Sequence, residues 1–352
     1  MSEIEQIMQE DMEYIGRRAD STRIAGSTVL ISGATGLIGK YLVRFLARYC
    51  GCRVLAVVRD KKKACRIWND LGGRVEYICS DITELGEEDI ADAKIDYMIH
   101  AASNTSSRDF SAHPASVIHT STEGTRRMLE IARKHPVKGF VYLSTMEVYG
   151  APETDEKIVE LHGTDLNTMS VRSSYPESKR LCESMCTAYF SEFQVPVRVL
   201  RLTQTFGPGV EYADSRVFAE FARCVIEGKD IVLHTTGETK RNYLYLADAC
   251  TAILAVLTEG LDGEAYNAAN ESTYCSIRDM AELVAAGCAE GKICVHVEPD
   301  QERQREQGYA PVLKMNLDTS KLCRMGWKPE TDLLTMYQRM IASMKECREY
   351  KE

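Results

Sequence analysis

Short apolar runs rich in β-branched residues alternate along the chain with longer stretches whose apolar positions recur every three or four residues. The runs are TVLISGA from Thr28, RVLAVV from Arg53, YMIHAA from Tyr97, GFVYLST from Gly139 and VRVLRL from Val197, and between them stand KYLVRFLARYC and RRMLEIARKH. A nearly continuous apolar run marks a strand buried on both faces, and a 3.6-residue period marks a helix with one buried face. Their alternation predicts an α/β fold, a doubly wound parallel sheet with helices on both sides. After Gly207 the pattern loosens, with helices expected near Arg216 to Glu227 and Ile277 to Ala286 and an irregular charged stretch around Asp300 to Gly308. The expected organisation is an N-terminal helical extension over residues 1–26, a main α/β domain over 27–206 and a smaller α/β lobe over 207–352, discontinuous and with segments that return to the first domain. Ile4, Met8, Met12 and Ile15 lie near helical spacing, so the extension should be an amphipathic helix docked on the body.

Composition narrows the class. At 44% hydrophobic and 27% charged over 352 residues the chain is an ordinary globular protein, and its net charge of −9 provides no general field for nucleic acid or an anionic membrane. Any anionic ligand must be met by local groups. The opening MSEIEQIMQEDMEYIGRR carries acids where a signal peptide has a basic region, and no stretch reaches the ~20 apolar residues of a membrane span, so a cytoplasmic protein is expected. Thirteen cysteines without a CxxC pair suit reduced thiols. Cys182 and Cys186, one helical turn apart, are read as structural thiols, and no metal site is expected.

In LISGATGLIGKYL, Gly33, Gly36 and Gly39 follow a strand and open a helix. Glycines there permit a tight turn and close backbone approach to a pyrophosphate, and the helix N-terminus offers free N–H groups, which makes the sheet a Rossmann-type dinucleotide binder. At the tip of the second strand Arg59 and Asp60 offer both a 2′-phosphate partner and a ribose acceptor, so NAD and NADP both stay open. Asp81 follows the next apolar run, placed either to accept from the adenine amino group or to cap a helix.

Tyr175-Pro-Glu-Ser-Lys179 puts a phenol and an ammonium one helical turn apart, where the charge of Lys179 should lower the phenol pKa and make Tyr175 a base. Thr145 ends a predicted strand, where ligands bind in open sheets, and can share the proton handled by Tyr175. These features, with GATGLIG, SDIT, HAAS, LSTMEVYG, TQTFGPG, RNYLYLAD and DTSKL with MGWKP, resemble the extended short-chain dehydrogenase/reductases, specifically the nucleotide-sugar epimerases, dehydratases and decarboxylases. The resemblance covers almost all of the chain after Thr28 and implies oxidation of the sugar C4 hydroxyl to a 4-ketone by Tyr175, Lys179 and Thr145. It further implies cofactor contacts from Leu37, Ile38, Ile82, Ala101, Ala102, Ser103 and Lys179. Substrate contacts fall to Asn104, Arg172 and Gln204, with Arg241 and Arg216 on the diphosphate.

Members of that family differ in the fate of the ketone. The dehydratases resemble Thr-Asp-Glu where this chain has Thr145-Met146-Glu147, and methionine cannot donate a proton. The UDP-glucuronate decarboxylases resemble Thr-Ser-Glu there and are closest in HAASNTSSRDF, in Arg172 ahead of Tyr175 and in Glu177, although Met146 replaces their serine and Gln204 the usual asparagine. The implied reaction is decarboxylation of a UDP-linked glucuronate, with Glu147 catalytic and NAD recycled. A 4-epimerase with the same internal hydride cycle is the alternative, ahead of a 4,6-dehydratase, a net keto-sugar reductase or a non-catalytic dinucleotide-binding regulator. Helices near Glu123 to Lys134 and Ser174 to Glu192 correspond to those that pair family subunits, which implies a homodimer.

Overall fold

A computed structural model describes residues 2–90, 93–300 and 312–349 of the chain; the stretch expected around Asp300 to Gly308 lies almost wholly outside them. The apolar runs become β1 (Thr28–Ser32), β2 (Arg53–Val58), β4 (Tyr97–His100), β5 (Gly139–Thr145) and β6 (Val197–Leu202), joined by β3 (Val75–Cys79) and β10 (Ala265–Ala268). They form one seven-stranded parallel sheet in the order β10-β6-β5-β4-β1-β2-β3. Every residue of β4 and β5 is buried, as a sheet covered on both faces requires. The register pairs Leu30 with both Leu55 and Met98, and Thr145 with Leu202, so the carboxyl ends of the central strands lie along one edge. Between β1 and β4 the chain switches from building one half of the sheet to building the other. Ligands of open α/β sheets bind at that crevice.

Helices α2 (Leu37–Arg48) and α8 (Leu246–Glu259) cover one face, with α8 buried almost all round. On the other face lie α5 (Pro114–Lys134) and α6 (Ser174–Phe193), packed along each other. After β6 the chain forms β7 (Gln204–Phe206), α7 (Val217–Glu227), β8 (Ile231–Leu233) and β9 (Lys240–Tyr245). Beyond β10 come β11 (Asn270–Ser276), α9 (Ile277–Cys288), β12 (Val295–Val297) and β13 (Lys314–Met315). A second sheet has the order β11-β9-β13 with β7 beside β9, and β8 pairs with β12. The expected helix at Arg216 starts one residue later, because Arg216 is its N-cap in extended geometry.

The N-terminal helix α1 (Glu3–Arg18) is closed by a Ser2 and Glu5 capping box and packs on α2, α8 and the C-terminal helix α11 (Leu333–Glu349), the short helices α3 (Lys61–Ile67), α4 (Ser107–Ala112) and α10 (Ser320–Cys323) lying elsewhere. It docks as its periodicity predicts, but on a rotated face: Ile7, Asp11, Met12 and Ile15 are buried, whereas Ile4 and Met8 are half-buried. The buried stripe includes Asp11, an acid that hydrophobic periodicity alone assigns to water.

Candidate active site

The turn after β1 meets the demands of a pyrophosphate cradle. Gly33 has φ +68°, and a Cβ on it would lie 2.5 Å from the carbonyl carbon of Ala101. A Cβ on Gly39 would lie 2.3 Å from the Gly33 carbonyl oxygen. Gly36 is the N-cap of α2, and no side chain caps the helix, so its first-turn N–H groups, those of Leu37 and Ile38 among them, have no side-chain acceptor. Uncapped N–H groups with glycine clearance fit a dinucleotide phosphate.

The floor of this crevice is tied down by a residue that the sequence patterns do not single out. His100, at the end of β4, sits 2.6 Å from the Ser32 hydroxyl and 3.1 Å from that of Thr125. Burial pushes its imidazole down to about 3, so it is neutral and bridges β1 to α5. Ser32 in turn accepts from the Ala102 N–H, and its carbonyl from that of Ala101, which shapes the Ala101 to Ser103 segment. The available signal was a histidine at the buried end of a strand.

At the tip of β2, Asp60 is occupied as the N-cap of α3, accepting from the Lys63 N–H at 3.0 Å, while Arg59 is exposed. Asp81 receives the Thr83 N–H and hydroxyl on Oδ1, which hold its carboxyl below the usual range with help from the charge of Arg59. It closes a turn over residues 82–84 and caps no helix, because none begins there, and Ile82 beside it is buried.

Across the crevice, β5 delivers Thr145 and α6 delivers Tyr175 and Lys179, all buried. The Tyr175 ring stacks on Phe110 at 4.2 Å and 4°, and the Arg172 guanidinium lies 4.8 Å from the same Phe110 ring. Arg172 donates to Glu147 at 2.8 Å, and Thr145 accepts from the Glu147 N–H. Met146 between them is buried, its sulfur accepting from Thr203 at 3.3 Å. The structure thus gathers Thr145, Glu147, Arg172, Tyr175 and Lys179 around one point, and adds Phe110.

One expectation is corrected. The Tyr175 phenol is pushed up, not down: burial dominates, the Glu147 charge adds to it, and the Thr145 hydrogen bond with the charges of Arg172 and Arg216 only partly offset them. Lys179 instead points its amine at the Leu143 carbonyl, 2.8 Å away, 6.0 Å from the Tyr175 ring centroid. Burial lowers its own pKa to about 8. A phenol in this state needs an added positive charge before it can act as a base at neutral pH.

The diphosphate candidates divide. Arg241 on β9 has its Nε buried without a hydrogen-bond partner, an orphan donor of the kind an anion satisfies. Arg216 already grips Asp214 through Nε at 3.0 Å and Nη2 at 2.5 Å, so its fork is engaged. Gln204 on β7 is in register with Tyr243, which brings it to the strand carrying Arg241. Asn104 is held within its own loop, donating to Asp109 and accepting from the Ser106 N–H. Behind the site Arg201 on β6 clamps Glu183 of α6 at 2.6 and 3.0 Å, and Ser144 donates to the same carboxylate, which fixes the helix carrying Tyr175 against β5. Among the described residues no cluster of three or more His, Cys, Asp or Glu could hold a metal, and no helix is long and apolar enough to cross a membrane.

The profile described as NAD dependent epimerase/dehydratase family matches residues 29–269. The chain belongs to that family. Among curated members it is 28% identical to UDP-glucuronic acid decarboxylase 1 of Xenopus tropicalis over 315 residues, 87% of this chain and 69% of that one. Its fold superimposes on UDP-glucose 4-epimerase of Thermotoga maritima, solved with UDP-glucose, at TM-score 0.79 and 22% identity, covering 91% of this chain and 99% of that one. A variant of UDP-glucuronic acid 4-epimerase from Bacillus cereus, solved with a fluorinated UDP-glucuronic acid analogue and NAD, gives 0.77 and 19% over 91% and 99%.

Proposed function

We propose that the chain oxidises the C4 hydroxyl of a UDP-linked hexuronate, decarboxylates the 4-keto product and returns the hydride to the same sugar. The observation that carries this reading is the pairing of Arg172 with Glu147 beside Tyr175, a cation free to exchange an internal carboxylate for that of a substrate. Held on the Gly33 to Gly39 turn, NAD would supply the hydride acceptor and a cationic ring, the kind of positive charge that Tyr175 lacks here. The chain's own residues divide the remaining work. Arg241 takes the diphosphate on its orphan Nε, and Thr145 orients the C4 oxygen. Tyr175 receives the hydroxyl proton, and Lys179 holds the end of β5 through Leu143. With C4 a ketone, the C6 carboxylate is that of a β-keto acid: the C5–C6 bond breaks, carbon dioxide leaves, the electron pair passes into the C4–C5 enolate, a proton from water is taken up at C5, and Tyr175 gives its proton back to the C4 oxygen as the hydride returns to C4. The Arg172 charge holds the carboxylate until the C5–C6 bond breaks.

Buried Met146 leaves no second acid between Thr145 and Glu147, which disfavours dehydration across C5 and C6. A 4-epimerase is the second reading, favoured by the same absence of a second acid, because the ketone then needs only to turn and be reduced on its other face. The two-lobe division at Gly207, a cytoplasmic location and a homodimer formed through α5 and α6 belong to the same proposal. For the dimer, Ile118, Leu181 and Phe193 on those helices remain partly exposed. Incubation with UDP-glucuronate, UDP-glucose and UDP-N-acetylglucosamine, with products resolved by mass, tests the reaction. Loss of one carbon dioxide from the first is expected; an isomer of unchanged mass would establish the epimerase, and no product from any would reject UDP-sugars.

Glu147→Gln separates the roles of the pair. Removing the carboxylate takes away a charge that raises the Tyr175 pKa and leaves Arg172 unneutralised. Both effects favour phenolate. The acid limb of the kcat/KM profile should therefore move to lower pH, while kcat for decarboxylation falls if Glu147 also positions the sugar. An unmoved limb would show that Glu147 does not act on the phenol.

A further inference from the structure

Asp11 on α1 is 1% exposed, and three elements aim donors at it. Its Oδ2 accepts from the Tyr41 hydroxyl at 2.9 Å and the Tyr245 hydroxyl at 2.7 Å, and its Oδ1 from Arg339 Nη1 at 2.5 Å. Tyr41 belongs to α2, the helix that opens on the glycine turn; Tyr245 ends β9, the strand that carries Arg241; Arg339 lies on α11. Around this point Arg339 also bonds Glu10 at 2.9 Å, and Tyr14 donates to buried Asp248 at the start of α8. The Glu330 and Thr331 N–H groups meet Asp248 as well.

Adhesion does not explain this carboxylate. Ile7, Met12 and Ile15 already dock α1 through apolar burial. Burial pushes the Asp11 carboxyl up to about 6 even though Tyr245, Arg339 and Tyr41 all pull it down. Its folded-state value lies above the ordinary one, so the carboxylate, still the main form at pH 7, costs folding stability there relative to an unperturbed acid. What the charge contributes is convergence: hydroxyls from α2 and β9 share one oxygen atom, so those elements cannot part or slide without losing a charge-assisted hydrogen bond.

We propose that Asp11 is a positioning residue for the reaction, fixing α2 and β9 relative to each other so that a dinucleotide on the glycine turn and a diphosphate at Arg241 are presented at one set separation. This role rests on the proposed function for its purpose, but its physical content is that α2 and β9 respond together. Amide hydrogen exchange of the full chain, followed by mass spectrometry with and without saturating NAD, reads that directly. In the wild type NAD slows exchange of the β9 amides from Arg241 to Tyr245 by about fivefold or more, a coupling at the low end of the usual range. In Asp11→Asn, which keeps the shape and removes the charge, NAD still binds, the melting temperature at pH 7.5 stays within ~4 °C of wild type, and the β9 response falls towards onefold. Tyr245→Phe, which keeps the carboxylate and removes one donor, gives an intermediate response.

A merely structural role would lower the melting temperature and leave the β9 response intact, and that result overturns the proposal. So does a wild-type β9 indifferent to NAD. Should Asp11→Asn fail to fold, Tyr245→Phe decides the matter, an unchanged response counting against the proposal. None of these readouts requires turnover, so failure of every tested nucleotide sugar would reject the functional reading and leave this one standing.

Discussion

Tyr175→Phe should lower kcat by about 10²- to 10⁴-fold, the span of a positioned general base, while leaving NAD affinity within about twofold of wild type. The phenylalanine keeps the ring that stacks on Phe110 at 4.2 Å, so the site retains its shape. Only the hydroxyl that meets Thr145 is lost, a change of about 1 kcal/mol in stability. Steady-state turnover, a NAD titration and thermal denaturation on one preparation distinguish the outcomes. A variant with near wild-type kcat would remove Tyr175 from the chemistry. A variant that lost NAD binding and stability together would show that the ring is chiefly packing. Because burial raises the phenol pKa in the free protein, the wild-type rate should also climb with pH wherever proton abstraction limits it.

Gly33→Ala should abolish measurable NAD binding and destabilise the fold by about 2–4 kcal/mol. Two independent penalties combine. The residue has φ +68°, which an L side chain adopts only with strain, and its new Cβ would lie 2.5 Å from the backbone of Ala101. Backbone cannot rotate away as a side-chain tip can, so β4's continuation would move and take the Ala101 to Ser103 segment with it. Gly36→Ala is the control. Gly36 has φ −72°, ordinary for any residue, and its Cβ would meet the Gly33 oxygen at 3.1 Å, tight but not impossible. It should therefore retain most of its stability and lose affinity only as far as the added methyl crowds the phosphate. Equal damage from the two substitutions, read by calorimetry and NAD titration, would mean that the turn is constrained by something other than backbone geometry.

Much of this protein was legible without coordinates, for reasons that are local. Burial on both faces of a sheet leaves continuous apolar runs, so β1, β2, β4, β5 and β6 could be read directly. A phosphate-binding turn requires glycine wherever φ turns positive or backbone must approach closely, and Gly33 and Gly39 satisfy one or both conditions. Tyr175 and Lys179 share a helix face because four residues make about one turn. Each of these inferences needs only neighbours along the chain.

The tertiary structure decided whatever depends on neighbours in space. The pKa of Tyr175 is raised because Phe110 and Glu147, far apart in sequence, meet it where water is excluded. The i, i+4 lysine that suggested the opposite shift spends its charge on the Leu143 carbonyl. Arg216 and Arg241 look equivalent as letters, yet one is gripped by Asp214 and the other keeps a buried donor without a partner. Asp11 reads as a solvent-facing acid on an amphipathic helix until Tyr41, Tyr245 and Arg339 converge on it. Periodicity along a chain records which faces are buried and which turns are tight. Desolvation and charge are sums over everything within a few ångströms, and only the folded chain determines what those neighbours are.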